Sequence, residues 1–460
     1  MIAMAHDLSL LGPEITVLVT AAAALVFEMA RSPRGALAVT IAGLLLATGL
    51  ALPRIGLHTT VFGGTWRIDE LSIWAELILL PATALTALLV RAELPGTDRE
   101  GTVYALLSLT TFGALALTAS GDLMLLTLGL VLTGLGSFAL VAYPRDDRAT
   151  EAAMKFFVFG SVSGAIMIFG LSYGYGATGT TLLSGLDRLG AMPLAAALGL
   201  AGVLIGLGYE ASLAPFHFWA PDAYDGAPVS VAAYLSIVPK VGALFALAQV
   251  VRDLPGAPVW QAALAALAAL SMTWGYLAAL GQRNVVRLLA YSSIAQAGYF
   301  LLGVLAVGSS SLAIPSLVVF AAAYAAMNLG AFTITLETGR HLEDFNGLGR
   351  NHAPAGIAMT VFLLSLTGIP PLAGFTGKAL LFGATLNAGY LWLAIVAILN
   401  SVLSLAVYLG VIVPAYRPGG AQGHRSVPAT TAWSIALLAT LAIGLAAQPL
   451  LAHLPYVPPT

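Results

Sequence analysis

Three ionisable side chains lie inside otherwise apolar stretches of the sequence. Glu210 ends the run LIGLGYE, Lys240 lies in SIVPKVGALF and Lys378 lies in GFTGKALLF. An ionisable group in a bilayer is costly unless it is paired or hydrated, so such groups usually mark routes for ions or protons. A carboxyl group and two amines can each bind and release a proton. The sequence therefore predicts a proton or ion path through these three positions.

Other polar residues lie close to the first of these positions. His217 follows Glu210 in LAPFHFWAPDAYDGAP, and an imidazole, which titrates near pH 6.5, is suited to a proton relay. The same ring could equally be a hydrogen-bonding plug for backbone loosened by the neighbouring prolines. Asp222 and Asp225 are interpreted as loop or cap residues. The alternative is that they control the entry of protons.

Two helices that carry these residues are predicted to be broken. SLAPFHFWAPDAYDGAP has three prolines after Glu210, and LTGIPPLAGFTGK has a double proline and three glycines before Lys378. Non-helical backbone at membrane depth survives only where protein or a water-filled cavity satisfies it. Paired interrupted helices in two halves of a chain indicate an inverted-repeat transporter fold with its site at the midplane. Two proline-kinked helices that merely pack together are the alternative.

The composition is that of a membrane protein. Of 460 residues, 59% are hydrophobic and 9% charged, whereas a soluble domain is about 25% charged. Apolar runs of the length that spans a bilayer predict fourteen helices and no strands. The helices are expected at 8–30, 35–52, 70–91, 102–119, 122–143, 152–176, 191–214, 228–251, 258–280, 285–308, 312–337, 354–386, 387–413 and 429–451.

Charge and cysteine content restrict the function further. Thirteen of the nineteen Lys and Arg residues fall in loops after odd-numbered helices and four on the opposite side. The positive-inside bias therefore predicts odd loops in the cytoplasm and both termini outside. A net charge of −2 gives no basic patch for nucleic acid. The absence of cysteine excludes disulfides, thiolate metal sites and cysteine-held iron–sulfur clusters from this chain.

Several stretches together resemble one family. They are EAAMKFFVFG, LAPFHFWAPDAYDGAPVSVAAYLS, VVRLLAYSSIAQAGYFLLG, YAAMNLGAF and FLLSLTGIPPLAGFTGKALLF. In order and spacing, over nearly the whole chain, they resemble the N-type antiporter-like membrane subunits (subunit N) of respiratory complex I, the proton-pumping NADH:quinone oxidoreductase. Any one stretch is less specific, because L-type and M-type subunits and Mrp-type cation/proton antiporters share the fold.

The resemblance implies an all-α integral membrane protein with inverted repeats in helices 4–8 and 9–13, of which helices 7 and 12 are broken. It divides the chain into a three-helix segment (1–100), two repeats (101–251 and 252–413) and a last helix with a tail (414–460). The implied function is proton translocation in a bacterial cytoplasmic membrane. Other membrane-arm subunits, including neighbouring antiporter-like subunits, are expected as partners within the lipid bilayer. NAD, FMN, iron–sulfur clusters and quinone are expected on partner subunits, and no cofactor is expected in this chain.

The family's line of buried charges carries over only in part. Lys240 and Lys378 match the lysines of helices 8 and 12. Val131 stands where the family has a glutamate on helix 5, and Glu210 stands where it has a lysine on helix 7. Gln296 is a histidine in many relatives.

An acid next to a lysine favours its charged form, so Glu210 and Lys240 are predicted to be coupled, directly or through water, as a substitute pair. Two other functions stay open. One is a structural membrane subunit whose proton path has degenerated. The other is a subunit of a cation/proton antiporter or of a membrane-bound hydrogenase.

Overall fold

The computed structural model describes residues 2–95, 99–191, 193–254, 258–420 and 425–446, and most of them are helical. The N-terminal segment holds α1 (Ile2–Leu10), α2 (Gly12–Met29), α3 (Pro33–Ala51) and α4 (Glu70–Glu93). The first repeat holds α5 (Glu100–Thr118), α6 (Leu123–Ala142), α7 (Asp147–Thr178), α8 (Pro193–Glu210), α9 (Ala220–Gly226) and α10 (Val229–Arg252). The second holds α11 (Pro258–Leu280), α12 (Val285–Leu305), α13 (Ala313–Thr338), α14 (Leu348–Asn351), α15 (Ala353–Thr367), α16 (Ala373–Asn387) and α17 (Leu391–Tyr416), and α18 (Val427–Leu445) follows.

The fourteen-segment prediction is confirmed. Within the described ranges, twelve helices are long and apolar enough to span a membrane, and the two broken segments, α8–α9 and α15–α16, supply the others. Each repeat has five membrane-spanning segments. Because five is an odd number, the second repeat begins on the opposite side of the membrane from the first, and the two repeats therefore have inverted topology. The exact residue limits of the four divisions stay a prediction. Residues 447–451 of the last predicted helix lie outside the described part of the chain.

The prediction of no strands was wrong. β1 (Thr59–Val61) and β2 (Trp66–Ile68) form a short antiparallel hairpin between α3 and α4. Two strands of three residues are too short for an alternating hydrophobic pattern to be recognised. The hairpin buries Trp66 and Ile68 in a small apolar cluster at the end of the helices.

Three helices form the centre of the bundle and carry most of the polar groups described below. The spanning window is 100% buried in α10 and 94% buried in both α12 and α13, against 22% in α7. A helix that is apolar all round belongs in an interior position. Polar side chains on α10, α12 and α13 are therefore shielded from lipid by protein on every side.

α4 holds α10 at both of its ends. The Glu93 carboxylate accepts the backbone N–H groups of Val229 and Ser230, each at 2.8 Å, and so caps the free donors of the first turn. At the opposite end Asp69 accepts from Gln249 at 2.8 Å and from Arg252 at 2.9 Å. These two sets of hydrogen bonds fix the position of α10 along the membrane normal, and with it the position of Lys240.

A buried ion triad fastens the N-terminal helices to α4. Arg54, which follows α3, donates to both carboxylate oxygens of Glu14 on α2, at 3.1 and 3.2 Å, and to Glu76 on α4 at 3.1 Å. All three side chains are buried. The two acids thus share a single guanidinium inside the protein.

Candidate functional site

The end of α15 holds the amine of Lys378. Lys378 Nζ donates to the carbonyl oxygens of Leu366 and Thr367, both at 3.0 Å, and to Ser401 Oγ at 3.3 Å. The last carbonyls of a helix have no intrahelical partner and carry the negative end of the helix dipole. The break in the helix therefore creates a site for a cation at the position where Lys378 lies. The amine also lies 4.1 Å from the ring centroid of Tyr299.

Two glycines make this break possible. Gly368 follows α15 with a φ of +96° and donates to the Leu364 carbonyl, a C-terminal cap that a side chain would strain. A Cβ on Gly374 would lie 1.7 Å from the Ser365 carbonyl oxygen, and the Gly374 N–H donates to Ser365 Oγ at 3.1 Å. The first turn of α16 therefore packs directly on the last turn of α15.

Lys240 is fully buried at the centre of the bundle. Its exposed fraction is 0%, and Nζ donates to the Ser293 carbonyl at 2.9 Å and to Ser293 Oγ at 3.1 Å. One turn earlier on α10, Ser236 accepts from Asn328 of α13 at 2.6 Å. Within the described ranges the amine has hydroxyl and carbonyl partners and no carboxylate.

A line of hydrogen bonds runs from Ser292, which is next to Ser293, to the Leu366 carbonyl that binds Lys378. We call its three members, Ser292, Tyr408 and Gln296, the connecting row. Ser292 Oγ and Tyr408 OH lie 2.6 Å apart, and Gln296 Nε2 donates to Tyr408 OH at 3.4 Å. Gln296 Nε2 also donates at 3.1 Å to the Leu366 carbonyl, which accepts from Lys378 too. The row therefore joins the surroundings of one buried lysine to the other.

Several buried polar atoms along this interior have no hydrogen-bond partner among the described residues. They include Gln296 Oε1, Asn328 Oδ1, Tyr224 OH and His217 Nδ1. Buried polar atoms of folded proteins are nearly always satisfied by protein or by ordered water. This interior is therefore suited to bound water beside the connecting row.

The first break is built differently from the second. The carbonyls at the end of α8 are occupied: Gly208 accepts the Leu213 N–H at 2.7 Å, and Tyr209 accepts Trp219 Nε1 at 2.9 Å. Glu210, the last residue of α8, is 2% exposed, and its Oε1 atom has no partner in the described parts of the chain. A carboxylate at the C-terminal end of a helix faces the unfavourable end of the dipole.

Glu210 and Val131 face the same cavity, which lies between α6, α7 and α8 and has a volume of about 250 Å³. The two positions at which the resemblance implies a glutamate and a lysine thus line one cavity. The first repeat has no acid–base pair at this place, because Val131 has no charge to offer Glu210.

A direct pair between Glu210 and Lys240 is not formed. Lys240 bonds to Ser293, whereas Glu210 faces the cavity on the other side of α8. Tyr224 of α9 lies near both Glu210 and Ser293. Coupling of Glu210 and Lys240 through water stays a prediction.

His217 lies in the non-helical segment between α8 and α9. Its Nε2 atom accepts from Trp274 Nε1 of α11 at 2.7 Å, and its ring stacks on Phe218 with centroids 4.7 Å apart. These contacts are those of a plug that fixes the broken segment against the second repeat. A relay role stays a prediction, carried by the free Nδ1 atom.

Asp222 and Asp225 form an ion-pair network where α9 meets α7 and α12. Asp222 accepts from Arg287 at 2.8 Å and from Lys155 at 3.0 Å, and Asp225 pairs with Arg148. The network surrounds a polar cavity of about 140 Å³. Both aspartates therefore join three helices, and the role of guarding proton uptake stays a prediction.

We expect Asp222→Asn to cost less than about 1 kcal/mol at pH 7, since the pairs are partly exposed and screened by solvent. Partial burial raises the pKa of Asp222, but hydrogen bonds from Arg287 and Lys155 outweigh burial and lower it. A lowered pKa means that the contribution is complete above about pH 4 and is lost as the pH falls further. Thermal unfolding between pH 7 and pH 3 measures this loss. If Asp222→Asn and the parent protein lost the same thermal stability between pH 7 and pH 3, the prediction would be wrong.

Sequence reasoning missed two partners of the site, Ser401 and Tyr408 on α17. A signal was present: Ser401, Ser404 and Tyr408 recur at helical spacing along an apolar run and so share one face. Gln296 was noticed in the sequence, but its partners across the helix interface were not. No group of three His, Asp or Glu residues that could hold a metal ion occurs among the described residues.

The fold is that of known proteins. The family described as NADH:quinone oxidoreductase/Mrp antiporter, TM matches residues 120–404, more than half of the chain. The chain belongs to this family. Subunit N of the NADH-quinone oxidoreductase of Desulfovibrio desulfuricans is 37% identical, with 96% of this chain and 93% of that protein aligned.

Other members of the family are similarly close. Subunit N of the F(420)H(2) dehydrogenase of Methanosarcina mazei is 34% identical over 96% of this chain and 97% of its own. A chain of respiratory complex I from Thermus thermophilus, solved with bound aureothin, superposes with a TM-score of 0.84 at 33% identity, covering 96% of this chain and 98% of that chain. A chain of the Mrp complex from Dietzia, with a TM-score of 0.84 and 22% identity, shares the fold.

Proposed function

We propose that this chain is a proton-translocating membrane subunit of a complex I-type quinone oxidoreductase, driven by redox chemistry on partner subunits. NADH-quinone oxidoreductase relatives at 34–37% identity over nearly the whole chain support the assignment. The observation that carries the mechanism is the connecting row, which runs from Ser292, next to the Lys240 partner Ser293, to the Leu366 carbonyl that Lys378 also binds. NAD, FMN, iron–sulfur clusters and quinone belong to the partners in this proposal.

The proposed route begins at the network of Asp222 and Asp225 and passes the broken segment at His217. Lys240 takes up the proton, and water beside the connecting row carries it to Lys378. Lys378 lines a cavity of about 280 Å³ together with Ser401 and Phe375, which supplies a place for release. The charge bias of the loops supports uptake from the cytoplasm, release outside and both termini outside, in a bacterial inner membrane.

A second candidate rests on Glu210. The first repeat has no cation beside this acid within the described ranges, which supports a structural subunit whose path has degenerated there. In that case Lys240 and Lys378 would be inert. Buried amines without a carboxylate partner are costly to retain, and this cost favours the translocating role.

Lys378→Ala tests the proposal. Loss of the amine should lower redox-coupled proton pumping and quinone reduction by at least about tenfold, which corresponds to about 1.4 kcal/mol in the barrier of a proton-transfer step. Both rates are measured in the purified assembly reconstituted in vesicles, with subunit content checked by mass spectrometry. Arg34→Ala, which removes an exposed cation of α3 outside the proposed route, is the matched control. Unchanged pumping in an assembled Lys378→Ala variant would refute the release role.

A further inference from the structure

The cavity between α6, α7 and α8 is lined mainly by apolar side chains, and its polar members are Ser161, Tyr209 and Glu210. Its wall is made of side chains such as Leu130, Phe138 and Ile168, and Glu210 is the only ionisable acid that lines it. The Tyr209 hydroxyl, also in the wall, already donates to the Phe156 carbonyl at 2.6 Å. An apolar chamber of about 250 Å³ therefore surrounds one carboxyl group.

This chamber opens toward the membrane. Val131, Phe157 and Ile168, on its rim, are large apolar side chains that are about half exposed, and α7 is the least buried of the spanning helices in the described ranges. A Cβ on Gly164 of α7 would meet no atom within 4 Å. A molecule dissolved in the bilayer can therefore reach the chamber without crossing the protein.

The carboxyl group determines which molecule fits. Glu210 is nine-tenths or more buried, and its Oε1 atom has no partner among the described residues. An ionised carboxylate in such a place is strongly unfavourable until a cation pairs with it. The ion pairs of the described residues do not include Glu210, so a cation that pairs with it would come from outside the described part of the chain.

We propose that this cavity binds an apolar molecule that carries one protonated amine, with its ammonium group on Glu210 and its hydrocarbon part against α6 and α7. The volume is below the range of about 300–1,000 Å³ that holds drug-sized ligands, so a single short hydrocarbon chain fits best. A lysine or arginine from a neighbouring membrane helix would offer the same cation. The experiment below separates these two sources.

The probe is the apolar carbodiimide N,N′-dicyclohexylcarbodiimide, applied to the purified assembly in phosphatidylcholine vesicles. The Glu210 carboxyl proton passes to a carbodiimide nitrogen while a carboxyl oxygen adds to the central carbon. The adduct then rearranges to a stable N-acylurea, so nothing leaves. Peptide mass spectrometry should find one whole carbodiimide on Glu210. Glu76, which is buried but bonded to Arg54, should remain unmodified and is the internal control.

Protection by ligands tests the proposed amine. Octylamine should slow modification of Glu210, and octanol, which has the same chain without the charge, should need a concentration at least about tenfold higher for the same effect. Two variants control the site. Glu210→Gln should lose the modification, and Gly164→Leu, which fills the chamber and keeps the carboxyl group, should lose both the modification and the protection.

Three results would overturn the proposal. Equal protection by octylamine and octanol would mean that the charge does not matter. Unchanged modification in Gly164→Leu would mean that the carbodiimide reaches Glu210 by another way. No modification of Glu210 in the intact assembly would mean that a partner's helix covers the chamber.

Discussion

Lys240→Met is expected to stop proton transfer through this chain without destabilising it. The amine is fully buried and has only Ser293 as a partner in the described structure. Replacement of a buried charge by an apolar side chain of similar volume is often neutral or stabilising. Redox-coupled pumping should nevertheless fall at least about tenfold, because the proton loses its acceptor at the start of the connecting row. Pumping and the thermal midpoint of the same assembly are measured together.

The combination of the two measurements distinguishes a functional lysine from a structural one. A structural lysine would lower the thermal midpoint when replaced and leave pumping per assembled complex unchanged, and that pattern would contradict the proposed role. Gln296→Leu is the companion variant. It keeps both lysines and removes the amide that bonds to Tyr408 and Leu366, so it should also lower pumping if the connecting row is the route.

Arg54→Met is expected to release the N-terminal helices from α4. The substitution leaves the carboxyl groups of Glu14 and Glu76 buried without their guanidinium. Removal of one partner from a buried ion pair costs about 3–5 kcal/mol. Because the chain has no cysteine, Ala47→Cys on α3, a fully buried position, provides a single thiol. Its rate of alkylation should rise by about two to four orders of magnitude in Arg54→Met.

The matched control replaces all three members of the triad by methionine. An apolar triad of similar volume has no unpaired charge, so alkylation of the thiol at position 47 should stay close to the parent rate. If Arg54→Met alone alkylates as slowly as the parent, the triad does not hold these helices. If the triple variant alkylates as fast as Arg54→Met, packing and not charge pairing is the cause.

The sequence was sufficient to locate both breaks, because proline and glycine act on the local backbone wherever the chain goes. It was also sufficient to predict burial of Lys240 and Lys378, since each lies in the middle of a long apolar run. The direction of the Glu210 side chain was not predictable. Glu210 is the last residue of α8, and the turn after it decides whether the carboxyl group faces α10 or the lipid side. Neighbouring position along the chain suggested Lys240 as its partner, whereas Glu210 lines the cavity between α6, α7 and α8.

Contacts between segments that are far apart along the chain could likewise not be predicted from the sequence. Tyr408 lies more than a hundred residues from Ser292, and only the packing of α17 on α12 reveals the pair. The Arg54 triad joins three segments, and a sequence alone marks its members as acids and a base near helix ends. The β1–β2 hairpin is too short to carry a pattern.

The first helix break carries an acid, Glu210, and the second carries a base, Lys378, and this difference affects how charge can move. When a proton passes from one lysine to the other, a single positive charge is relocated and the number of buried charges stays the same. When a proton passes from a neutral Glu210 to a neutral Lys240, two opposite charges are created where there were none, which is expensive in an apolar interior. A transfer from Glu210 to Lys240 would therefore require a counter-cation on the acid, whereas a transfer between the two lysines can run in either direction under the membrane voltage.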